Sequence, residues 1–325
     1  MTQDVLVKLL AIMATVGLGW LAAKRGWLGS LGNSSPGGSD PAQVLSNTAF
    51  YLFVPALLFR TMARQDLQAL PWRMVAAYFL PALAYALAVY VWQRLRAHAN
   101  AAAPATRTVA AVYGNAVQLG IPLAAALFGE TGLALHIALV SVHGLLLLTV
   151  LTVLVETDLA RQNHGATRWD TLRTTVRNTL VHPVVLPIVL GLLWNLTGWG
   201  LHPVVDQTLQ GLGSAVVPVC LVLIGVSLAS YGLRGGLRPA LGVTLLKLMV
   251  LPALVLLVAY GAFGLTGIPL AVLVMMAALP VGSNALIFAQ RYGTLQAEAT
   301  VAIVVSTLAF MVSATMWLAV LSALP

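Results

Sequence analysis

Long apolar runs recur along the whole chain and constrain its fold more than any other feature. Of its 325 residues, 60% are hydrophobic and only 8% are charged, whereas an ordinary soluble domain has about 25% charged residues. A helix of about 20 apolar residues crosses the hydrocarbon core of a bilayer, which is roughly 30 Å thick. The sequence therefore predicts an all-α integral membrane protein with ten transmembrane helices, at residues 5–23, 44–62, 74–92, 108–128, 133–155, 180–196, 209–228, 241–263, 270–289 and 301–321.

The first apolar run admits a second interpretation. Lys8 precedes an apolar stretch that ends in small residues, which is also the pattern of a cleaved secretory signal. We favour a retained first helix, because this segment has a counterpart in the second half of the chain.

Positive charges predict the orientation in the membrane. They concentrate in or beside the connections after predicted helices one, three, five, seven and nine, whereas the opposite connections hold mainly Arg64 and Arg73. Connections rich in Lys and Arg stay on the cytoplasmic side. Both termini are therefore expected outside a bacterial inner (plasma) membrane. The cytoplasmic set is Lys24, Arg25, Arg94, Arg96, Arg107, Arg161, Arg168, Arg173, Arg177, Arg234, Arg238 and Arg291.

The chain divides into two similar halves. Residues 1–156 hold five predicted helices and 179–325 hold five more, separated by a polar, basic linker at 157–178 that is expected in the cytoplasm. Because five is odd, the second half enters the membrane in the opposite orientation. Chance similarity among small apolar residues is the alternative, but the matching pairs run in the same order in both halves. These pairs are Gly19 with Gly191, Pro55 with Pro218, Pro81 with Pro252, and Asn115 with Asn284.

Two predicted helices are interrupted at corresponding places, within 114–122 and 280–289. Gly, Pro and amide side chains inside a spanning segment free backbone groups, and hydrocarbon offers those groups no hydrogen bonds. Matched breaks in two inverted halves point to a substrate site near the membrane midplane and to alternating access. The predicted function is therefore transport.

Three stretches of the chain resemble a known family. They are Tyr-Leu-Phe-Val-Pro-Ala-Leu-Leu-Phe at 51–59, the segment 115–132 with its Gly-Ile-Pro and Leu-Phe-Gly-Glu-Thr-Gly motifs, and the segment 279–293. Together they are similar to bacterial members of the auxin efflux carrier family, relatives of the plant PIN-formed auxin exporters. The resemblance covers essentially the whole chain, although the long central cytoplasmic loop of the plant exporters is missing.

The resemblance implies a fold like that of the bile acid sodium symporters. Helices one, two, six and seven form a scaffold, and helices three to five and eight to ten form a transport core in which helices four and nine cross at their breaks. The crossing geometry is open here, because Pro122 follows Asn115 by seven residues whereas Pro280 precedes Asn284 by four. A homodimer through the scaffold helices is a further expectation of the resemblance.

The implied substrates are organic anions, such as auxin in plants and small carboxylates such as malonate or malate in bacteria. We therefore predict a secondary transporter of a small organic anion that works by alternating access, with export driven by the membrane potential. Sodium- or proton-coupled carboxylate uptake is the first alternative, and a non-transporting membrane sensor or assembly subunit is the second. The sequence shows no motif for an enzyme, a metal or a cofactor, and no nucleic-acid partner is expected.

Neutral polar groups at the breaks are the candidate ligands of the anion. Half-helix N-termini carry unpaired N–H groups and partial positive charge, and amide and hydroxyl side chains add donors. The alternative is that these amides only cap the interrupted backbone. The predicted substrate site comprises Asn115, Gln118, Pro122, Pro280, Ser283 and Asn284.

Lys247 and His143 are the candidate charged or titratable groups at depth. Lys247 lies seven residues into the eighth predicted helix, where a bare ammonium is costly. It either attracts the anion or occupies the place that a sodium ion holds in the symporter relatives; alternatively its stem extends to the cytoplasmic surface. His143 either packs as a neutral ring or couples transport to protons. No Asp or Glu falls deep in a predicted span, which disfavours a carboxylate proton relay.

Overall fold

The regular structure of the chain is helical throughout the residues that the computed structural model describes, namely 3–28, 41–66, 68, 70–96, 100–161, 168–231 and 236–324. The α-helices are α1 (Gln3–Lys24), α2 (Pro41–Thr48), α3 (Val54–Ala63), α4 (Trp72–Arg94), α5 (Ala103–Val112), α6 (Ile121–His143), α7 (Thr149–Arg161), α8 (Arg168–Val181), α9 (Val185–Leu196), α10 (Pro203–Ser214), α11 (Val216–Tyr231), α12 (Leu237–Leu245), α13 (Leu251–Leu256), α14 (Gly267–Ala278), α15 (Asn284–Arg291) and α16 (Gln296–Ser322).

Several of these helices run into one another through wider, π-helical turns. Such turns loosen the regular hydrogen-bond ladder and are frequent at functional sites. One of them contains Lys247, and another begins directly after His143. The π-helical segments are Ala49–Phe53, Ala116–Gly120, Gly144–Leu148, Leu246–Val250 and Leu257–Ala262.

Six helical runs among the described residues are long and apolar enough to cross a membrane, and two shorter helices, α9 and α14, are also apolar. The prediction of an all-helical, multi-pass membrane protein is thus confirmed at this level. The six runs are Ala42–Ala63, Trp72–Arg94, Leu123–Arg161, Pro203–Ser230, Leu237–Ala262 and Gln296–Ser322.

The longest of these runs is not a straight rod. Inside α6, Gly129 has φ 62° and ψ −159°, a backbone conformation that glycine alone adopts readily. The helix is therefore broken there, between the predicted helix that ends at 128 and the one that begins at 133.

The predicted start of the sixth helix differs from the structure. The sixth apolar run was expected to begin at residue 180, but Leu180 and Val181 end α8 and the apolar helix α9 begins at Val185. Pro183 explains the difference, because its ring disfavours helical geometry in the residue before it. Much of the predicted linker at 157–178 is helical, since α7 reaches Arg161 and α8 begins at Arg168.

Two glycines bring pairs of helices close together. α1 packs along α11, and α9 packs along α3. A Cβ on Gly19 would overlap the carbonyl oxygen of Val222, and a Cβ on Gly191 would lie 2.5 Å from that of Phe59. Small residues permit such close backbone approach between helices in membranes. Gly19 and Gly191 are one of the pairs that match between the two halves.

A partly buried ion pair joins α5 to α16. The Arg107 guanidinium donates to both carboxylate oxygens of Glu298 at 2.6 Å and to the side-chain oxygen of Gln93 at 2.8 Å. A two-point contact between a guanidinium and a carboxylate fixes orientation as well as distance. Because Gln93 lies in α4, the three helices are held together at this point.

Candidate substrate site

The two interrupted segments meet and pair with each other. The Asn115 N–H donates to the Pro280 carbonyl at 2.8 Å, and the Gly282 N–H donates to the Tyr113 carbonyl at 2.9 Å, forming an isolated antiparallel β-bridge. Some of the backbone groups that the breaks set free are thus bonded across the crossing. A Cβ on Gly282 would lie 2.8 Å from the Gly114 carbonyl oxygen, so the crossing requires glycine at that position.

The breaks are narrower than the sequence suggested. α5 ends at Val112, and the chain is extended at Tyr113, with φ −84° and ψ 110°. On the other side α14 ends at Ala278, and α15 begins again at Asn284. The interruption predicted within 280–289 thus ends before Asn284, and residues 284–289 are helical.

A cavity of about 110 Å³ lies beside this crossing. Since about 10 to 15 Å³ on this measure holds one water molecule, the space is sufficient for several waters or a small organic molecule. None of the described residues that line it is charged. Its polar side chains include Thr61, Asn115, Ser141, His143, Ser283 and Asn284.

The rest of the cavity wall is mainly apolar. It is contributed by α3, by the junction of α6 with α7, by α9 and by the start of α11. The site thus combines a polar crossing with a hydrophobic surround, which is usual for small-molecule sites in proteins. Examples of the apolar lining are Leu57, Leu58, Leu148, Ile188, Val216 and Val217.

The two predicted asparagines lie together at the cavity. The Oδ1 atom of Asn115 is buried and has no hydrogen-bond partner among the described residues, and the Asn284 side chain lies near the Tyr113 hydroxyl. No side-chain cap is formed by Asn115 ahead of its π-helical turn, nor by Ser283 ahead of α15. Buried polar atoms normally have partners. The Oδ1 atom of Asn115 can therefore accept a hydrogen bond from a ligand or from water.

The other predicted polar residues fall into two groups. Ser283 lines the cavity and lies near the Cys220 thiol, while Pro280 accepts a hydrogen bond from Asn115 through its carbonyl group. The side chains of Gln118 and Pro122 lie outside the described part of the structure. The structure thus brings Asn115, Ser283 and Asn284 together.

Lys247 lies behind the crossing and does not line the cavity. It is fully buried, and its Nζ donates to the Ala277 carbonyl at 2.5 Å. This carbonyl belongs to the last turn of α14, where helix carbonyls lack partners and carry partial negative charge. Nζ lies 3.3 Å from the position that a Cβ on Gly114 would take. Lys247 therefore does not extend to the surface, which was the alternative interpretation of its sequence position.

His143 faces the cavity from the end of α6. Its ring is buried, and the ring centroid lies 4.3 Å from that of Tyr113. Its Nε2 has no hydrogen-bond partner among the described residues. His136, about two helical turns earlier, instead contacts the Ala116 carbonyl through Nε2 at 2.8 Å. Of these two histidines, His143 is the one that lines the cavity.

Sequence reasoning missed three polar lining residues, Thr61, Tyr113 and Ser141. Tyr113 immediately precedes the predicted break, so its position in the sequence could have identified it as a lining residue. Thr61 lies in α3, far from either break in sequence, and nothing in its local pattern marks it. Its place at the cavity depends on how α3 packs against the crossing.

A polar cluster joins the helices away from the cavity. The Glu156 carboxylate accepts from the Tyr292 hydroxyl at 3.0 Å and from the Asn178 amide at 3.2 Å, and the His182 Nε2 contacts the Tyr292 hydroxyl at 3.0 Å. We call these four residues the Tyr292 cluster. They link α7, α8 and the segment after α15.

The Tyr292 cluster and the cavity lie at opposite ends of α15. Asn284, the first residue of α15, lines the cavity, whereas Arg291, its last residue, donates to the Tyr51 hydroxyl at 2.5 Å. Seven residues of helix separate them, or about 10 Å. α11 runs in the same direction, from the cavity towards the cluster. Val216 at its start lines the cavity, and Ser227 near its end accepts a hydrogen bond from Gln290 at 3.4 Å.

Apolar helices that can span a membrane, two broken segments that pair at a crossing and a polar cavity beside it define a membrane transport protein. A family model described as "Membrane transport protein" matches residues 4–318. The chain belongs to this family, the auxin efflux carrier family, as the three sequence stretches predicted. It is a family of transporters rather than of enzymes.

A relative with a similar chain length supports this assignment. It comes from Methanothermobacter thermautotrophicus and is described as an uncharacterized transporter. The two sequences are 25% identical over 316 residues, which cover 96% of this chain and 97% of the relative. The similarity therefore extends over both interrupted segments.

Proposed function

We propose that the protein is a secondary transporter that moves a small organic anion across a bacterial inner membrane by alternating access, with export driven by the membrane potential. The observation that carries this proposal is the pair of broken helices hydrogen-bonded at their breaks beside a polar cavity. A break of this kind provides polar groups at membrane depth, and a carrier needs them there to replace the hydration of its substrate.

The proposed architecture is ten transmembrane helices in an inverted 5+5 repeat, with halves at 1–156 and 179–325. Close helix crossings support it, because Gly19 meets α11 and its counterpart Gly191 meets α3. If helices one and six are equivalent, and two and seven likewise, these two contacts are the same contact repeated. The scaffold would comprise α1 to α3 and α9 to α11, and the core α4 to α7 and α12 to α16.

The proposed substrate is an anion because of the charges around the cavity. No described carboxylate lines it, and the ammonium of Lys247 lies just behind Gly114. The N-terminus of α15 adds partial positive charge at Asn284. A substrate carboxylate would accept hydrogen bonds from the amides of Asn115 and Asn284 and from the Ser283 hydroxyl.

In the proposed mechanism the cavity opens alternately to the two sides of the membrane. With both termini outside, the Tyr292 cluster lies on the cytoplasmic side and the structure is closed there. The cavity would then communicate with the exterior. Export requires the contacts of the cluster, and of Arg291 with Tyr51, to separate as the core moves against the scaffold.

Flux measurements in proteoliposomes test the function. We expect radiolabelled acids from a panel of malonate, malate and indole-3-acetate to leave the side that is made electrically negative, because the potential favours anion exit by about 2.3 kcal/mol per charge per 100 mV. Parallel runs with imposed sodium or proton gradients identify coupling. An absence of protein-dependent flux for every acid and gradient would contradict the transporter proposal and support a sensor or assembly subunit.

Proton-coupled uptake is the second candidate, and His143 favours it. An imidazole that lines the cavity with an unpaired ring nitrogen can bind a proton together with the substrate. In that case uptake into proteoliposomes should accelerate when the exterior is made acidic, and His143→Gln should abolish the acceleration while leaving potential-driven flux.

Replacing Asn115 or Asn284 with alanine is expected to lower substrate affinity by about ten- to a hundredfold, since a hydrogen bond to a charged group contributes about 1.5 to 3 kcal/mol. The measurement is the substrate concentration that gives half-maximal flux. The yield of folded protein should stay normal, because the Asn115 side chain forms no helix cap and Asn284 lies inside α15 rather than at its N-cap.

Asn195→Ala is the matched control. The Asn195 amide donates to the carbonyls of Met62, Ala63 and Gln65, the last at 2.7 Å, so its loss should lower thermal stability and leave affinity unchanged. If Asn115→Ala behaves like Asn195→Ala, the asparagine at the break is structural rather than a ligand.

A further inference from the structure

α8 exposes a row of apolar side chains. Trp169 is 71% exposed, Val176 47% and Leu180 49%. The spacings of seven and four residues place these three side chains on one face of the helix. Arg173 and Arg177, four residues apart, are also exposed and lie beside this face.

The opposite face of α8 is occupied. Asn178 follows Trp169 by nine residues, which is two and a half helical turns, and its amide donates to Glu156 of α7 at 3.2 Å. α8 also packs against α7 and α9. The apolar and basic face is therefore turned away from the rest of the protein.

α8 cannot be a transmembrane helix. Its 14 residues span about 21 Å as a helix, which is short of the roughly 30 Å hydrocarbon core, and its sequence carries three arginines and one aspartate. It connects the long apolar run that ends with α7 to the shorter apolar helix α9. Such a helix lies where these neighbours leave the membrane.

We propose that α8 lies in the surface of the bilayer and binds the headgroups of anionic lipids through Arg173 and Arg177. Trp169, Val176 and Leu180 enter the boundary between headgroups and acyl chains. An apolar face flanked by basic residues is the pattern of helices that lie in this interface, and tryptophan concentrates there. The charge complements a negatively charged lipid surface.

Lipid binding at α8 reaches the Tyr292 cluster directly. Asn178 belongs both to α8 and to the cluster, and His182 follows the last residue of α8 and contacts Tyr292. A helix fixed on the lipid surface holds both side chains in place. Anionic lipid therefore stabilises the closed arrangement of this end of the protein.

Hydrogen exchange of the full-length protein in nanodiscs tests the proposal. The discs contain phosphatidylcholine alone or an equimolar mixture with phosphatidylglycerol, and amide exchange is followed by mass spectrometry in α8 and around Tyr292. We expect slower exchange in the anionic discs. In Arg173→Gln/Arg177→Gln this protection should fall by about fivefold for each arginine lost. The test does not depend on transport.

Two further variants make the result specific. Lys24→Gln/Arg25→Gln removes two exposed charges at the end of α1 and should retain the full protection, as should Arg173→Lys/Arg177→Lys. In wild-type protein, 1 M salt should remove the difference in exchange between the two kinds of disc, because it screens exposed charges beyond about 3 Å. This salt measurement tests the proposal even if the glutamine variant does not fold.

Three outcomes would overturn the proposal. They are equal exchange of wild-type α8 in both kinds of disc, full protection in Arg173→Gln/Arg177→Gln, and an equal loss in Lys24→Gln/Arg25→Gln. The first and second would mean that α8 does not recognise anionic lipid. The third would mean that total charge matters rather than α8.

Discussion

Lys247→Gln is expected to lower the rate of organic-anion transport by about fiftyfold at low substrate concentration. An anion roughly 7 Å from an ammonium gains about 2.4 kcal/mol at an effective dielectric constant of about 20, which corresponds to about fiftyfold in binding. The ammonium is buried beside Gly114 at the crossing, so water and salt screen it little. The initial rate of flux in proteoliposomes is the measurement.

Controls separate the charge of Lys247 from its packing. Glutamine keeps an N–H donor for the Ala277 carbonyl, and Lys24→Gln removes an exposed lysine at the end of α1 and should transport normally. Wild-type rates for Lys247→Gln would contradict the electrostatic role. If the protein fails to fold, Lys247→Arg keeps the charge and should retain measurable flux.

The sequence predicted the breaks well because their chemistry is local. A cluster of Gly, Pro and Asn in an apolar run favours an interrupted helix, and both interruptions occur in the structure, at Gly114 and Gly282. The hydrogen bonds that join them could not be predicted. Which N–H faces which carbonyl depends on how two segments about 165 residues apart in the chain are packed, and no local rule contains that information.

Side-chain destinations were predicted less well than backbone breaks. The depth of Lys247 was evident from its position in an apolar run, but a long flexible stem reaches either inward or to the surface. The carbonyl of Ala277, at the end of a different helix, is what the ammonium contacts. His143 was identified as a titratable group at depth, whereas its contact with Tyr113 emerged only from the fold.

The inverted repeat remains a prediction. The close helix crossings support it, because they give matching glycines of the two halves the same role. The glycine pair Gly19 and Gly191 was noticed as a sequence match, and the structure gives both residues the same task of letting a neighbouring backbone approach. The α1 and α11 contact contains a second close glycine, Gly225. The stability of the fold should therefore be most sensitive to added volume at this contact.

Gly225→Ala is expected to lower the melting temperature of the detergent-solubilised protein sharply, with a loss of about 3 kcal/mol or more. Its Cβ would overlap the Val16 carbonyl oxygen and lie 2.6 Å from the Trp20 nitrogen. Both are backbone atoms that cannot rotate away, so α1 must shift from α11, and overpacking of this kind costs about 1 to 3 kcal/mol or occasionally more.

Gly211→Ala in α10 is the matched control, because nothing lies within 4 Å of its Cβ position, and it should raise stability by about 0.5 to 1 kcal/mol. A normal melting temperature for Gly225→Ala would show that α1 does not pack on α11 in the membrane-extracted protein.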